Sequence, residues 1–168
     1  MDRQRPRIVV GVDGSPGSRA ALVHALRDAA RRDASVEVVA AYAPPEYWMP
    51  LYGPPAISLD EIRAGIRQNA AEFVQGVTDQ LEEVLPHVPT VTITAVTSGA
   101  ADALVDAAKG ADLLVVGSRG HGGFSSLVLG SVSLQCVLHA PCPVTVVRPT
   151  VSEEATAPAA VEPEPAVG

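Results

Sequence analysis

The residues with chemistry to offer lie in two short stretches of the chain. The longer runs Gly117-Ser118-Arg119-Gly120-His121-Gly122-Gly123-Phe124-Ser125-Ser126-Leu127-Val128-Leu129-Gly130-Ser131-Val132-Ser133. Glycine lets main-chain N–H groups turn inward and approach an anion more closely than a Cβ would permit. Gly130-Ser131 stands where a helical pattern begins, and there the N–H groups of a first turn and the helix dipole favour negative charge. The hydroxyls of Ser131 and Ser133 offer further donors to phosphate oxygens. The shorter stretch is Asp13-Gly14-Ser15. If the two stretches meet, they make an anion cradle with a carboxylate beside it. Plainer readings exist for single residues: Asp13 as a helix cap, His121 as a solvated loop residue rather than a phosphate contact or proton acceptor, and Arg119 as the partner of an acidic side chain rather than of phosphate.

The elements that must position these residues follow from apolar periodicity. Arg7 to Val12 is a β-branched run suited to a strand covered on both faces. Ser15 caps the helix that follows, Pro16 suits its first position, and Ala20, Leu22, Val23, Leu26 and Ala30 form its inner stripe through about Arg32. Val36 to Tyr42 is a second strand. The aromatic, proline-rich stretch from Ala43 to Pro55 excludes regular helix or central strand. It is either a lid or partner contact, or a loop packed on its own helix. Ser58-Leu59-Asp60-Glu61 reads as a capping box, with Leu59, Ile62, Ile66, Phe73, Val77, Leu81 and Val84 at helical spacing behind it. Val91 to Val96, alternating with threonine, suits a strand near a sheet edge. Ser98-Gly99 opens a third helix with Leu104, Val105 and Ala108 inward and Gly110 as its stop. Asp112 to Val116 is the fourth strand and runs into Gly117. Val128 to Leu138 reads as the last helix and Pro143 to Val147 as the last strand.

Strands alternating with helices imply an α/β fold with a mostly parallel sheet. Ligands of such sheets sit beyond the carboxyl ends of the strands, where the winding reverses. The two stretches both follow strands, so they face one crevice if the first and fourth strands are neighbours.

Composition narrows the alternatives. With 168 residues, 47% hydrophobic and 18% charged, the chain suits a single domain with a buried sheet. Its net charge of −7 argues against nucleic acid, which is held through many Lys/Arg–phosphate contacts. No apolar run reaches the ~18–20 residues of a membrane span, and no apolar signal core follows Met1 to Arg7, so a cytoplasmic location is expected. Cys136 and Cys142 lack metal or redox spacing and read as buried or half-buried thiols. Residues 150–168, acidic and rich in Pro and Ala, are expected to be a disordered tail after a domain of residues 1–149.

At this level of detail the chain resembles the universal stress protein family. Glycine, two residues, glycine, nine residues, glycine and serine is that family's ATP-binding signature, met here by Gly117, Gly120, Gly130 and Ser131. Residues 8–15 (IVVGVDGS), 111–120 (ADLLVVGSRG), 129–133 (LGSVS) and 140–148 (APCPVTVVR) carry the likeness, which extends over roughly residues 5–149. The resemblance implies an open five-stranded parallel sheet of order 3-2-1-4-5 between helices, a Rossmann-like fold of the adenine nucleotide alpha-hydrolase type. It implies ATP over the ends of strands one and four, Asp13 on the ribose, and the backbone of Ala40 and Ala41 on the adenine edge. The implied site comprises Gly11, Val12, Asp13, Ala40, Ala41, Gly117, Ser118, Arg119, Gly120, His121, Gly122, Gly130, Ser131, Val132 and Ser133. Mg²⁺ would be held through the phosphates, and a homodimer is implied through Val144 to Val147. The expected function is ATP-dependent regulation in the stress response. The alternatives are a slow ATP hydrolase, which lacks the lysine of a Gly-Lys-Ser/Thr loop, and a dimeric module for another adenine nucleotide such as cAMP.

Overall fold

Apolar runs such as Ile8-Val9-Val10 and Leu113-Leu114-Val115-Val116 have no polar face to offer water, and they form the centre of a sheet covered on both sides. The computed structural model describes residues 5–42, 58–120 and 129–149. Along the chain it runs β1 (Arg7–Gly11), α1 (Pro16–Arg32), β2 (Ser35–Ala41), α2 (Leu59–Leu81), β3 (Val91–Val96), α3 (Ala100–Ala107), β4 (Leu113–Gly117), α4 (Ser131–His139) and β5 (Val144–Val147). The five strands are parallel and stand in the order β3-β2-β1-β4-β5, as expected. The threonine-bearing β3 is an edge strand and β1 is central.

Strand alternation divides the core in two. Ile8, Val10, Val38 and Val115 face α1 and α2, packing with Leu22, Leu26, Val74 and Val77. Val9, Val39, Leu114 and Val116 face α3 and α4, packing with Leu104 and Cys136. Burial pushes the Cys136 thiol up to about 11, and half-buried Cys142 is raised for the same reason; both are free thiols.

The helix starts follow their sequence signals. Ser15 Oγ accepts the Ser18 N–H at 3.1 Å, with Pro16 at the first position of α1. In the capping box of α2, Glu61 N–H donates to Ser58 Oγ at 3.2 Å and Ser58 N–H donates to the Glu61 carboxylate at 2.8 Å. Those bonds from Ser58 hold the Glu61 carboxyl below its ordinary range. Gly110, at φ +71°, turns the chain after α3.

Three expectations shift. Leu59 and Val84 do not join the inner stripe of α2: Leu59 is 56% exposed in its first turn, and Val84, 69% exposed, lies beyond the last helical residue. The last helix begins at Ser131 rather than Val128, because Gly130 is extended (φ −70°, ψ 161°) and its N–H is bound to the Ser118 carbonyl. Val128 itself, the stretch 43–55 and the tail 150–168 lie outside the described residues.

Asp28 is a buried charge that the apolar pattern does not announce. Its oxygens meet Arg31 Nη2 at 2.5 Å and Arg32 Nε at 2.8 Å, one turn along α1. Burial is the largest single influence and raises its pKa, but the two arginines together outweigh it and hold the carboxyl below the ordinary range. A carboxyl more acidic when folded contributes fully above its unfolded value of about 4, and the contribution fades as pH falls through the folded value. Asp28→Ala is therefore expected to lose about 1–3 kcal/mol at pH 7. Urea unfolding of both proteins at pH 7 and pH 3 should show the gap narrowing in acid.

Candidate functional site

Beyond the carboxyl end of β1 the chain makes a tight turn set by its own side chain. Asp13 Oδ1 accepts the Ser15 N–H at 2.9 Å, and Gly14 sits at φ +83°, in the left-handed region that favours glycine. Beyond β4, Ser118 ties two elements together: its N–H donates to the Val147 carbonyl at 2.7 Å, and its carbonyl accepts the Gly130 N–H at 2.8 Å. Gly130 is thereby held at the start of α4, whose first turn receives no hydrogen bond from a capping side chain. α1, capped by Ser15, has its Ser18 N–H already satisfied.

The two loops meet because glycine backbones touch. A Cβ on Gly117 would stand 2.5 Å from the Gly17 carbonyl carbon and 2.6 Å from its oxygen. On the other side of the same loop, a Cβ on Gly120 would collide with the carboxylate of Asp13. These contacts set the β1–α1 turn, the β4 loop and the α4 start around a cleft of about 570 Å³. Strand order places it at the point where the chain reverses its winding, between β1 and β4.

Of the residues expected from sequence, Gly11, Val12, Asp13, Ala41, Gly117, Arg119, Gly120, Gly130, Ser131, Val132 and Ser133 line this cleft. Ala40 does not, and the ladder explains why. Ser35 N–H donates to the Pro6 carbonyl, and the Val39 carbonyl accepts the Val12 N–H, so odd-numbered residues of β2 point their backbone groups toward β1. Val36 and Tyr42 donate toward β3, so even-numbered residues point the other way. Ala40 thus directs its backbone to β3 and its methyl into the core with α1 and α2. Ala41 directs its N–H and carbonyl past the end of β1, into the crevice.

Ser118 also stays out of the cleft: it is buried, and its Oγ makes no hydrogen bond among the described residues. Ser133 lines the cleft, but its hydroxyl donates to the Gly117 carbonyl at 2.5 Å instead of pointing a proton at a ligand. The more exposed Ser131 remains at the cleft mouth. His121 and Gly122 lie outside the described residues. The sequence reading missed Ser15, Ser18, Val39, Ala100, Leu104 and Val116. Strand patterns and the third helix's inward stripe located Val39, Val116 and Leu104 as apolar positions and did not single out Ala100; only the packing of α3 across β1 shows that these residues wall a cavity.

Chemically the cleft joins an apolar side to a polar rim of backbone N–H groups, Asp13 and Arg119. Among the described residues no group of three His, Cys, Asp or Glu side chains could hold a metal ion, and no helix is long and apolar enough to cross a membrane.

Sheet order and a glycine-lined cleft at the switch point define a Rossmann-like α/β protein. The chain belongs to the universal stress protein family, whose model matches residues 4–148. It is 35% identical over 144 residues to a universal stress protein of Mycolicibacterium smegmatis, covering 84% of this chain and 45% of that protein. The chain spans about half the length of the curated relatives it matches. Among solved structures it resembles the universal stress protein UspA from Lactobacillus plantarum (25% identity, TM-score 0.62, covering 87% of this chain and all of that one). It is equally similar in sequence to a universal stress protein solved in complex with cAMP (25% identity, TM-score 0.59, covering 87% of this chain and 98% of that one).

Gly117→Ala is expected to destabilise the fold by about 1–3 kcal/mol, because the new methyl meets main chain that has no rotamer to change. Thermal unfolding of the full chain without ligand measures it.

Proposed function

We propose that the chain binds ATP in this cleft and acts as a nucleotide-dependent regulatory protein in the stress response. The observation that carries the reading is that Asp13 and the start of α4, whose N-cap Gly130 makes no side-chain cap hydrogen bond, line one cleft. The α4 N–H groups and dipole suit a phosphate chain, and Asp13, held by the Ser15 N–H and by contact with Gly120, suits the ribose hydroxyls. The Ala41 N–H and carbonyl suit the base edge. The relative solved with cAMP supports an adenine nucleotide as the ligand. The full Gly117, Gly120, Gly130, Ser131 spacing supports a triphosphate, with Mg²⁺ carried on the phosphates themselves. The reading takes residues 1–149 as the binding domain and places the protein in the cytoplasm, where ATP is available.

A ligand at ~100 times its dissociation constant stabilises the folded state by ~2.7 kcal/mol. ATP is thus expected to raise the melting temperature of the full chain by about 5–10 °C, with Gly120→Val giving no shift. A wild-type shift with cAMP and none with ATP would replace the proposed ligand; no shift with either would remove the nucleotide reading.

The proposal includes a homodimer through β5. The Leu114 N–H meets the Pro143 carbonyl and the Ser118 N–H meets that of Val147, so Val144 and Val146 turn their backbone groups to the open edge. Beside that edge α4 leaves Leu134, Val137 and Leu138 at 44%, 48% and 62% exposure, and an apolar edge of this kind calls for cover. Val146→Pro removes an outward donor while sparing the β4 ladder. Light scattering is expected to show a dimer for wild type and a monomer for the variant.

A further inference from the structure

We infer that Leu104 of α3 is the residue by which the cleft selects a purine over a pyrimidine nucleotide; the inference rests on the nucleotide reading above. One part of the cleft wall is made by Val39 and Ala41 of β2 and by Ala100 and Leu104 of α3. None of these side chains has a hydrogen-bonding group. Selection by side chains in this part therefore works through apolar area removed from water, which is greater for a bicyclic ring than for a monocyclic one. Among the described residues of this part of the wall, polar discrimination falls to the backbone.

Leu104 is the large, movable part of that wall. It is 4% exposed and packs in the core cluster of Val9, Val39 and Val116 while its outer atoms face the cleft. Its place depends on Gly11: a Cβ there would stand 2.8 Å from Leu104 Cδ1 and 3.0 Å from Cδ2. The missing side chain at the end of β1 is thus the space that the leucine occupies. A methyl added at Gly11 displaces the end of a flexible side chain rather than main chain, and the room left for it is the slot. Gly11 and Leu104 together set the slot's depth.

Binding of ATP, CTP and inorganic tripolyphosphate to the full chain by calorimetry tests this. Wild type is expected to prefer ATP to CTP. Leu104→Ala is expected to weaken ATP about tenfold and CTP less, so that the preference shrinks, while tripolyphosphate affinity stays unchanged. Gly11→Ala is expected to weaken ATP and spare tripolyphosphate, and to do less harm when Leu104 is already alanine, because the two changes act on one space. Leu104→Met, close in volume, keeps the test usable if the alanine variant unfolds: it is expected to alter the ATP to CTP ratio and not the tripolyphosphate affinity. An unchanged ratio in folded Leu104 variants would overturn the inference and leave ATP binding standing. Wild-type protein that binds none of the three would overturn the nucleotide reading itself.

Discussion

Where α1 begins, the main chain of Gly17 lies directly against that of Gly117 at the end of β4, with no space for a Cβ on the Gly117 side. Much of the site depends on that approach. It draws the start of α1 across from β1 toward β4, so that the helix covers both strands with one apolar stripe. It also sets Asp13, two residues past β1, beside Gly120, three residues past β4. Were the two backbones held apart by an ordinary side chain, the helix would ride higher on the sheet. The crevice at the switch point would then lose both its narrowness and the meeting of its two loops.

The proposed nucleotide site would require a chain of net charge −7 to receive an anion. Among the described lining residues Arg119 is the one cation. On that proposal the attraction would come instead from oriented main chain at the first turn of α4, whose N-cap Gly130 makes no side-chain cap hydrogen bond. Such dipoles act within a turn's length and leave the distant surface acidic.

Much of this was legible in the sequence. The strands came from continuous apolar runs, the first two helix starts from Ser15-Pro16 and the Ser58–Glu61 box, and the strand order from likeness to a known family. Signals that depend on neighbours in space were not legible. Leu59 and Val84 satisfy helical spacing, yet both stand exposed among the described residues, because periodicity says which way a residue points and not what lies there. Asp28 looks like an exposed charge until its burial beside Arg31 and Arg32 is seen. Ala40 and Ala41 are the same residue type side by side, and only ladder parity tells which one opens on the crevice. Leu104 reads as plain core, since its role as a wall arises from the absent side chain of a glycine more than ninety positions earlier.

The glycines of the cleft differ in what surrounds them, and that difference bears on how such a protein can change over evolutionary time. Gly117 faces main chain, so drift at that position disturbs the architecture along with the site. Gly120 is exposed and, among the described residues, meets the carboxylate of Asp13, so drift there can alter the cleft while the scaffold survives intact. One lineage can therefore reshape its cleft in a single step and keep its sheet, its helices and its open β5 edge for other uses.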